Sequence, residues 1–257
     1  MRTFVPVRAA YVRRLRGQVM AGPRPQHVGL IMDGNRRWAR RAGLANVSLG
    51  HKYGAERAEE MLGWCTHVGV RNVTVYLCST ENLARRDRAE VDFLMNVIET
   101  GLARRLATHN DRWRVHTAGM LDALPDSTGR ALKEAVEATS SYDTGFNVTL
   151  AVGYGGQREI VDAARSVMYE RAAAGDTPRE LADSLRVEDI ERHLYTAGRP
   201  DPDLIIRTSG EQRLSNFLSW QGAYAQLYVC EAPWPAFREI DFLRALRDFA
   251  GRHRRAV

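Results

Sequence analysis

No stretch of this 257-residue chain is apolar for anything near the roughly 20 residues that cross a bilayer. The N-terminus lacks the apolar core of a secretion signal. Cysteine is scarce. Cys65, Cys78 and Cys230 are the three present, each alone in an apolar segment and none at metal-ligand spacing, which predicts buried, reduced thiols in a cytosolic protein. There is no internal repeat, no interdomain linker and no recognisable nucleic-acid-binding module. One domain is expected, preceded by a short arm.

What is present is globular. Hydrophobic residues make up 44% and charged residues 26%, and a chain of this size can bury a substantial core. The formal net charge of +6 favours anionic partners: nucleic acid, a membrane surface or phosphorylated small molecules. The placement of the arginines separates these. A phosphate site needs a few that converge, whereas a nucleic-acid face needs many spread out.

Residues 1–26 read as a basic N-terminal arm. Arg8, Arg13, Arg14 and Arg16 alternate with Val7, Tyr11, Val12 and Leu15, and Gly22 to Pro25 then breaks the chain. Two readings stand: a weak membrane-surface contact, or a solvated helix packed on the domain. From His27 to the C-terminus, strands and helices alternate. Strands are expected at Val28 to Met32, Val73 to Leu77, Trp113 to His116, Phe146 to Val152, Leu204 to Ile206 and Ala223 to Val229. Helical spacing joins Ala55, Ala58, Met61, Leu62 and Cys65, then Val91 through Leu102. Further helices are expected after Ser127 and Thr128, along a face of Ile160, Val161, Ala164, Val167 and Met168, over Val187 to Tyr195, and at Phe242 to Phe249. Six near-continuous apolar strands separated by helices predict an α/β fold with a central, mostly parallel sheet covered on both faces. Such sheets bind ligands beyond the carboxyl ends of their strands.

Polar clusters follow four of the predicted strands. The first, Asp33 to Arg37, has Gly34 for a sharp turn and the opening of a helix, whose N-terminus attracts phosphate. Arg36, Arg37, Arg40 and Arg41 add positive charge. Asp33 among them would repel a bare phosphate but suits a Mg²⁺ ion bridging carboxylate and diphosphate. A strand-to-helix turn capped by Asp33 accounts for the same residues. The last cluster holds Arg207, Arg213 and Ser215, which suits a second phosphate group held without metal; surface arginines in a loop are the plain alternative. Ser79 to Asn82, with Arg85 beyond, and Gly153 to Gly156 follow the other two strands. Two phosphate sites of different kind on one edge suggest two phosphorylated substrates, one activated to leave and one merely held.

These residues resemble a known family. His27 to Trp38 with Met-Asp-Gly-Asn-Arg-Arg-Trp, Gly50 to Ala55, Ser79 to Asn82, and Asp203 to Trp220 with Asp-Leu-Ile-Ile-Arg-Thr-Ser-Gly-Glu-Gln-Arg-Leu-Ser-Asn-Phe resemble, in order, the cis-prenyltransferases (undecaprenyl diphosphate synthase and its relatives). The likeness is nearest to the short-chain actinobacterial Z,E-farnesyl diphosphate synthases. The resemblance implies a catalytic domain over 27–257 with an apolar tunnel beside the sheet. It implies condensation of isopentenyl diphosphate with an allylic diphosphate, geranyl diphosphate for a C15 product, by an Mg²⁺-dependent homodimer in the cytoplasm or at the inner face of the membrane. Asp33 and Asn82 would be catalytic, with Asp33 directing Mg²⁺. Gly34, Asn35, Arg36, Arg37, Trp38, His51 and Arg85 would hold the allylic diphosphate. Arg207, Arg213 and Ser215 would hold isopentenyl diphosphate, and Leu77 would gate product length. No nucleic-acid partner is implied.

The chain departs from the family in three places. Gln226 stands where the family usually has a glutamate that helps bind Mg²⁺, and glutamine is a weaker ligand for a hard cation. One extra residue lies between Trp38 and His51 compared with long-chain members. The Arg-X-Gly ending that those members use across their dimer interface is not found. The departures leave three other readings open: irregular head-to-middle coupling of two allylic diphosphates, a silent partner subunit, and a nucleic-acid-binding protein, which has the charge but no recognisable module.

Overall fold

The structure, a computed structural model, describes residues 4–108 and 112–256. The elements run α1 (Phe4–Met20), β1 (His27–Ile31), α2 (Asn35–Arg41), α3 (Leu49–Val68), β2 (Asn72–Ser79), α4 (Thr80–Arg85), α5 (Arg88–Ile98), α6 (Arg104–Thr108), β3 (Trp113–Ala118), α7 (Asp126–Ala138), β4 (Phe146–Tyr154), α8 (Gly156–Ala173), α9 (Pro178–Ser184), α10 (Val187–Glu191), β5 (Leu204–Thr208), β6 (Gln226–Cys230) and α11 (Glu239–Ala256). The six strands form one sheet in the order β3-β4-β2-β1-β5-β6, and every described pairing is parallel.

Successive strand side chains point to opposite faces, and both faces here are covered. Val28, Leu30, Val73, Val75, Leu204 and Ile206 enter the larger core with α3, α5 and α11. Ile31, Ile205 and Tyr154 enter a second core with Phe217 and Leu218. The apolar strands follow from this double burial. The chain moves from β1 to one side of the sheet and returns to the other side at β5. The crevice at the carboxyl ends of β1 and β5 is therefore the switch point where such sheets take their ligands.

Several elements differ from expectation. The helix through Leu102 is interrupted by a π-helical turn at Glu99–Ala103, whose Glu99 Oε1 accepts hydroxyl hydrogen bonds from Ser127 (2.9 Å) and Thr128 (2.6 Å). Those two residues lie inside α7 rather than before it. Residues 223–225 form a turn, so β6 starts at Gln226. On α8 the inward stripe is Gly156, Glu159, Ala163 and Val167, leaving Val161 and Met168 exposed. Glu159 can be buried because Oε1 accepts from the Tyr195 amide (2.8 Å) and Gln221 Nε2 (3.1 Å). Cys65 and Cys78 are buried, and Cys230 is half-buried. In the arm, α1 packs on the domain: Leu15 and Val19 join the main core, and Arg16 pairs with Glu239 of α11. Arg8, Arg13 and Arg14 stay exposed.

Candidate active site

The switch point is occupied by one carboxylate and one guanidinium. Asp33 sits just past β1, its amide held by Thr208 Oγ1 (2.9 Å), whose hydroxyl donates to the Asp33 carbonyl (2.8 Å). Gly34 turns the chain at φ 93°. A Cβ there would lie 2.7 Å from Ser209 Oγ and 2.8 Å from Pro233 Cβ, so conformation and space both require glycine. The Gly34 amide donates to Asp33 Oδ1 at 2.7 Å, leaving Oδ2 for Arg207. Arg207 is 3% exposed. Its Nη2 donates to Asp33 Oδ2 (2.9 Å) and its Nη1 to Ser215 Oγ (2.7 Å) and to the Arg213 carbonyl. One guanidinium thus joins the residues assigned to two separate phosphate sites.

A second cluster lies on the α5 side. Glu90 accepts from Arg36 Nη1 at 2.8 Å, pairs with Arg86 Nη1 at 3.0 Å and lies 3.5 Å from His51 Nε2. Burial, reinforced by the nearby Arg86 charge, lowers the His51 pKa to about 4, so its ring is neutral at pH 7. Glu90 and Arg86 were not singled out from the sequence. The available signal was their four-residue spacing across Asp87, whose side chain caps α5 by accepting from the Ala89 amide.

Two adjoining cavities share Met32, Asp33, Asn35, His51 and Arg86. The polar one, about 180 Å³, is completed by Gly34, Arg36, Arg37 and Arg40. The other, about 190 Å³, runs past Asn82, Arg207 and Ser215 into an apolar interior of Leu77, Leu94, Val97, Ile98 and Leu102. Leu77 lies in a register shift of the β2–β4 pairing between Tyr76 and Cys78, and Leu77 and Cys78 both join the main core. Asn82 is placed by its own amide donating to Ser79 Oγ at 3.0 Å. A polar recess beside a cavity with one apolar wall fits an amphiphile with an anionic head and a hydrocarbon tail.

Four expected residues lie elsewhere. Arg85 is exposed and outside both cavities, and Arg86 occupies the position expected of it. Trp38 packs against Tyr53 with ring centroids 5.0 Å apart and lines neither cavity. The Arg213 side chain is mostly exposed and pairs with Glu211 at 2.5 Å; only its carbonyl meets Arg207. Gln226 opens β6 opposite Leu204, whereas Asp33 follows the far end of β1, beside Thr208 and its β6 partner Cys230. Four residue steps separate the two β6 ends by about 13 Å, and Mg²⁺ reaches its ligands at about 2 Å. Within one chain, Gln226 and Asp33 cannot share a metal ion.

A covered parallel sheet with an anion recess adjoining a partly apolar cavity at its switch point is the architecture expected of the cis-prenyltransferases. The comparisons with known proteins agree. The prenyltransferase family model described as putative undecaprenyl diphosphate synthase matches residues 31–257, and the chain belongs to that family. It is 62% identical over 256 residues to an isoprenyl transferase of Streptomyces fradiae, covering 99% of each chain. It is 53% identical to a (2Z,6E)-farnesyl diphosphate synthase of Thermobifida fusca, covering 98% of this chain and 97% of that one. Among solved structures, lavandulyl diphosphate synthase from Lavandula x intermedia, in complex with dimethylallyl diphosphate, superposes with a TM-score of 0.80 at 32% identity, covering 88% of this chain and 95% of that one.

Proposed function

We propose that the protein is a short-chain cis-prenyltransferase that condenses isopentenyl diphosphate with an allylic diphosphate, geranyl diphosphate, to give (2Z,6E)-farnesyl diphosphate and diphosphate. The observation that carries the reading is the continuity of the two cavities. The anionic recess at Asp33, Arg36 and Arg37 opens onto an apolar channel bounded by Leu77, Leu94 and Leu102. The relatives named for short Z-products support the chain length.

In this reading the backbone of Gly34 to Arg37 and the Arg36, Arg86 and His51 cluster hold the allylic diphosphate, with its tail in the channel. Arg207 and Ser215 hold isopentenyl diphosphate beside it. The allylic C1–O bond breaks with its electron pair leaving on diphosphate, the homoallylic double bond forms the new C–C bond to C1, and a proton is then lost. Arginines aimed at the departing oxygens stabilise the charge as it develops. Among the described residues there is no cluster of three or more His, Cys, Asp or Glu side chains that could hold a metal alone. A single partly exposed carboxylate, Asp33, nevertheless fits Mg²⁺, which commonly takes one or two carboxylates and completes its shell with phosphate oxygens and water. Bound there, Mg²⁺ would supply Lewis-acid neutralisation of the leaving group.

The remaining assignments are of the same standing. The exposed apolar side chains Met168, Tyr169, Leu185 and Val187 on and around α8–α10 support a homodimer. The exposed arginines of α1 support weak contact with the inner face of the membrane for an otherwise cytoplasmic protein, and no described helix is long and apolar enough to cross one. The structural likeness to a lavandulyl diphosphate synthase holding an allylic diphosphate favours head-to-middle coupling as a second reading. One assay separates the two. Purified protein is incubated with Mg²⁺, isopentenyl diphosphate and allylic primers from C5 to C15, and with dimethylallyl diphosphate alone. A C15 product with a new Z bond from the C10 primer supports the first reading; a branched product from dimethylallyl diphosphate alone supports the second. Turnover with neither rejects both.

A further inference from the structure

The loop between β5 and β6 carries an unusual density of strained backbone. Ser209, Ser215, Asn216 and Leu218 all have left-handed φ, at 73°, 50°, 62° and 44°. Non-glycine residues hold such angles only where their surroundings over-determine them, and they cluster at functional sites. Leucine has no side-chain means of easing the conformation, whereas asparagine tolerates it. Something outside the loop must fix it.

Asn216 supplies that fixation. Its Nδ2 donates to Glu81 Oε1 at 2.9 Å. Its Oδ1 accepts from the Gln157 amide at 2.8 Å, and its carbonyl accepts from the Gly156 amide at 2.8 Å. One residue therefore ties together the segments that follow β2, β4 and β5. The slot it occupies is built for it: a Cβ on Gly155 would lie 2.9 Å from Asn216 Nδ2 and 2.9 Å from Thr80 Oγ1. Neighbours on both sides belong to the site. Ser215 precedes Asn216 and accepts from Arg207, and its carbonyl accepts from Tyr76 Oη at 3.3 Å. Glu81 precedes Asn82, which lines the reaction cavity.

We infer that Asn216 is a positioning residue whose amide clasp with Glu81 sets the distance between the isopentenyl diphosphate loop (Arg207, Ser215) and Asn82. The inference rests on the prenyltransferase reading above. The allylic recess is carried by the β1–α2 segment, by His51 of α3 and by Arg86 at the end of α4, and Asn216 is hydrogen-bonded to none of these recess residues. Loss of the clasp therefore displaces one substrate and spares the other.

The test uses the full chain and four variants, with isopentenyl and geranyl diphosphates as probes. Asn216→Gly keeps the left-handed backbone but deletes the side-chain bonds to Glu81, the Gln157 amide and Ser219 Oγ, which separates side-chain bonding from backbone strain. Asn216→Asp sets a second carboxylate against Glu81. Glu81→Gln removes the charge, and Glu81→Gln/Asn216→Asp rebuilds the hydrogen bond with donor and acceptor exchanged. The expected result is a KM for isopentenyl diphosphate raised about tenfold in Asn216→Gly, the loss of one hydrogen bond to a charged group. It rises further in Asn216→Asp and returns toward wild type in the double variant. The KM for geranyl diphosphate stays unchanged throughout. Calorimetric binding of each diphosphate gives the same split without turnover. If wild type fails to turn over, the prenyltransferase reading falls while the binding split still decides the clasp. An unchanged isopentenyl diphosphate affinity in Asn216→Gly overturns the inference, as does an equal weakening of both substrates. Should Asn216→Asp not fold, recovery of folding in the double variant, read by thermal melting, supports the clasp, and no recovery counts against it.

Discussion

The Asp33–Arg207 pair allows a quantitative test of how the site is held together. Arg207 has a side chain 4% exposed, while that of Asp33 is 34% exposed. Among the described residues, removing Asp33 leaves a buried guanidinium with only the Ser215 hydroxyl and the Arg213 carbonyl as acceptors, and its Nε has no partner there. Breaking a fully buried pair costs about 3–5 kcal/mol. Water at the half-open Asp33 side recovers part of this, so Asp33→Ala should cost about 2 kcal/mol. For a chain of this size that is a fall of about 4–8 °C in melting temperature. Arg207→Met leaves the wetter partner behind and should cost less. The double variant removes the unpaired charge altogether, so its destabilisation should fall short of the sum of the two by more than about 1 kcal/mol. Urea unfolding of wild type, both single variants and the double variant, followed by circular dichroism, measures the cycle. Additivity within about 0.5 kcal/mol would refute the coupling. Asp33→Ala should also lose nearly all turnover, well beyond any loss of folded protein.

Three further outcomes follow from the same geometry. Leu77→Ala should lengthen the product beyond C15 by opening the channel wall, seen by mass spectrometry of the dephosphorylated products; an unchanged profile would remove Leu77 as the gate. Arg86→Ala should weaken geranyl diphosphate binding about tenfold or more, as loss of a charge-assisted contact does, while Arg85→Ala should leave it near wild type. The third outcome concerns acid stability. His27 is buried, with Nδ1 against the Pro200 carbonyl (2.7 Å) and Nε2 against Thr74 Oγ1 (2.8 Å), and burial lowers its pKa to about 4. A histidine whose folded pKa lies below its unfolded value binds fewer protons when folded, so its stability contribution is present above about pH 6.5 and is lost as pH falls toward 4. The loss at pH 5 should be about 2 kcal/mol for His27, with His51 adding in the same direction. His27→Gln should flatten the pH dependence of urea unfolding, and a slope equal to wild type would show that His27 is not the group responsible.

The inner strands were legible because β1, β5 and most of β4 are buried on both faces, which leaves near-continuous apolar runs that no amphipathic helix imitates; β6 is half-buried throughout, and its start was the one expected too early. The helix faces were less so. On α8 the apolar pattern pointed to Val161 and Met168, but hydrophobic period says which residues share a stripe and not which stripe is covered; the buried stripe includes Glu159, acceptable only because distant partners supply its hydrogen bonds. Along the cavity wall, Asp33, Asn82 and Arg207 were readable because each lies at or within three residues of the carboxyl end of a strand, whereas Ser215 lies seven residues past β5 and was legible only through its motif. The Arg85-Arg86 doublet hid a one-residue choice that neither charge nor order along the chain resolves. Geometry resolves it, since only Arg86 stands one helical turn before Glu90. Gln226 marks the limit of reading a site from motif order. It was weighed as a metal ligand by its place in a motif, yet a parallel sheet assembles its site from residues that end strands, and Gln226 begins one. The glutamine is therefore uncoupled from Asp33 within the chain, and the metal demand that remains falls on a carboxylate that Arg207 already holds in place.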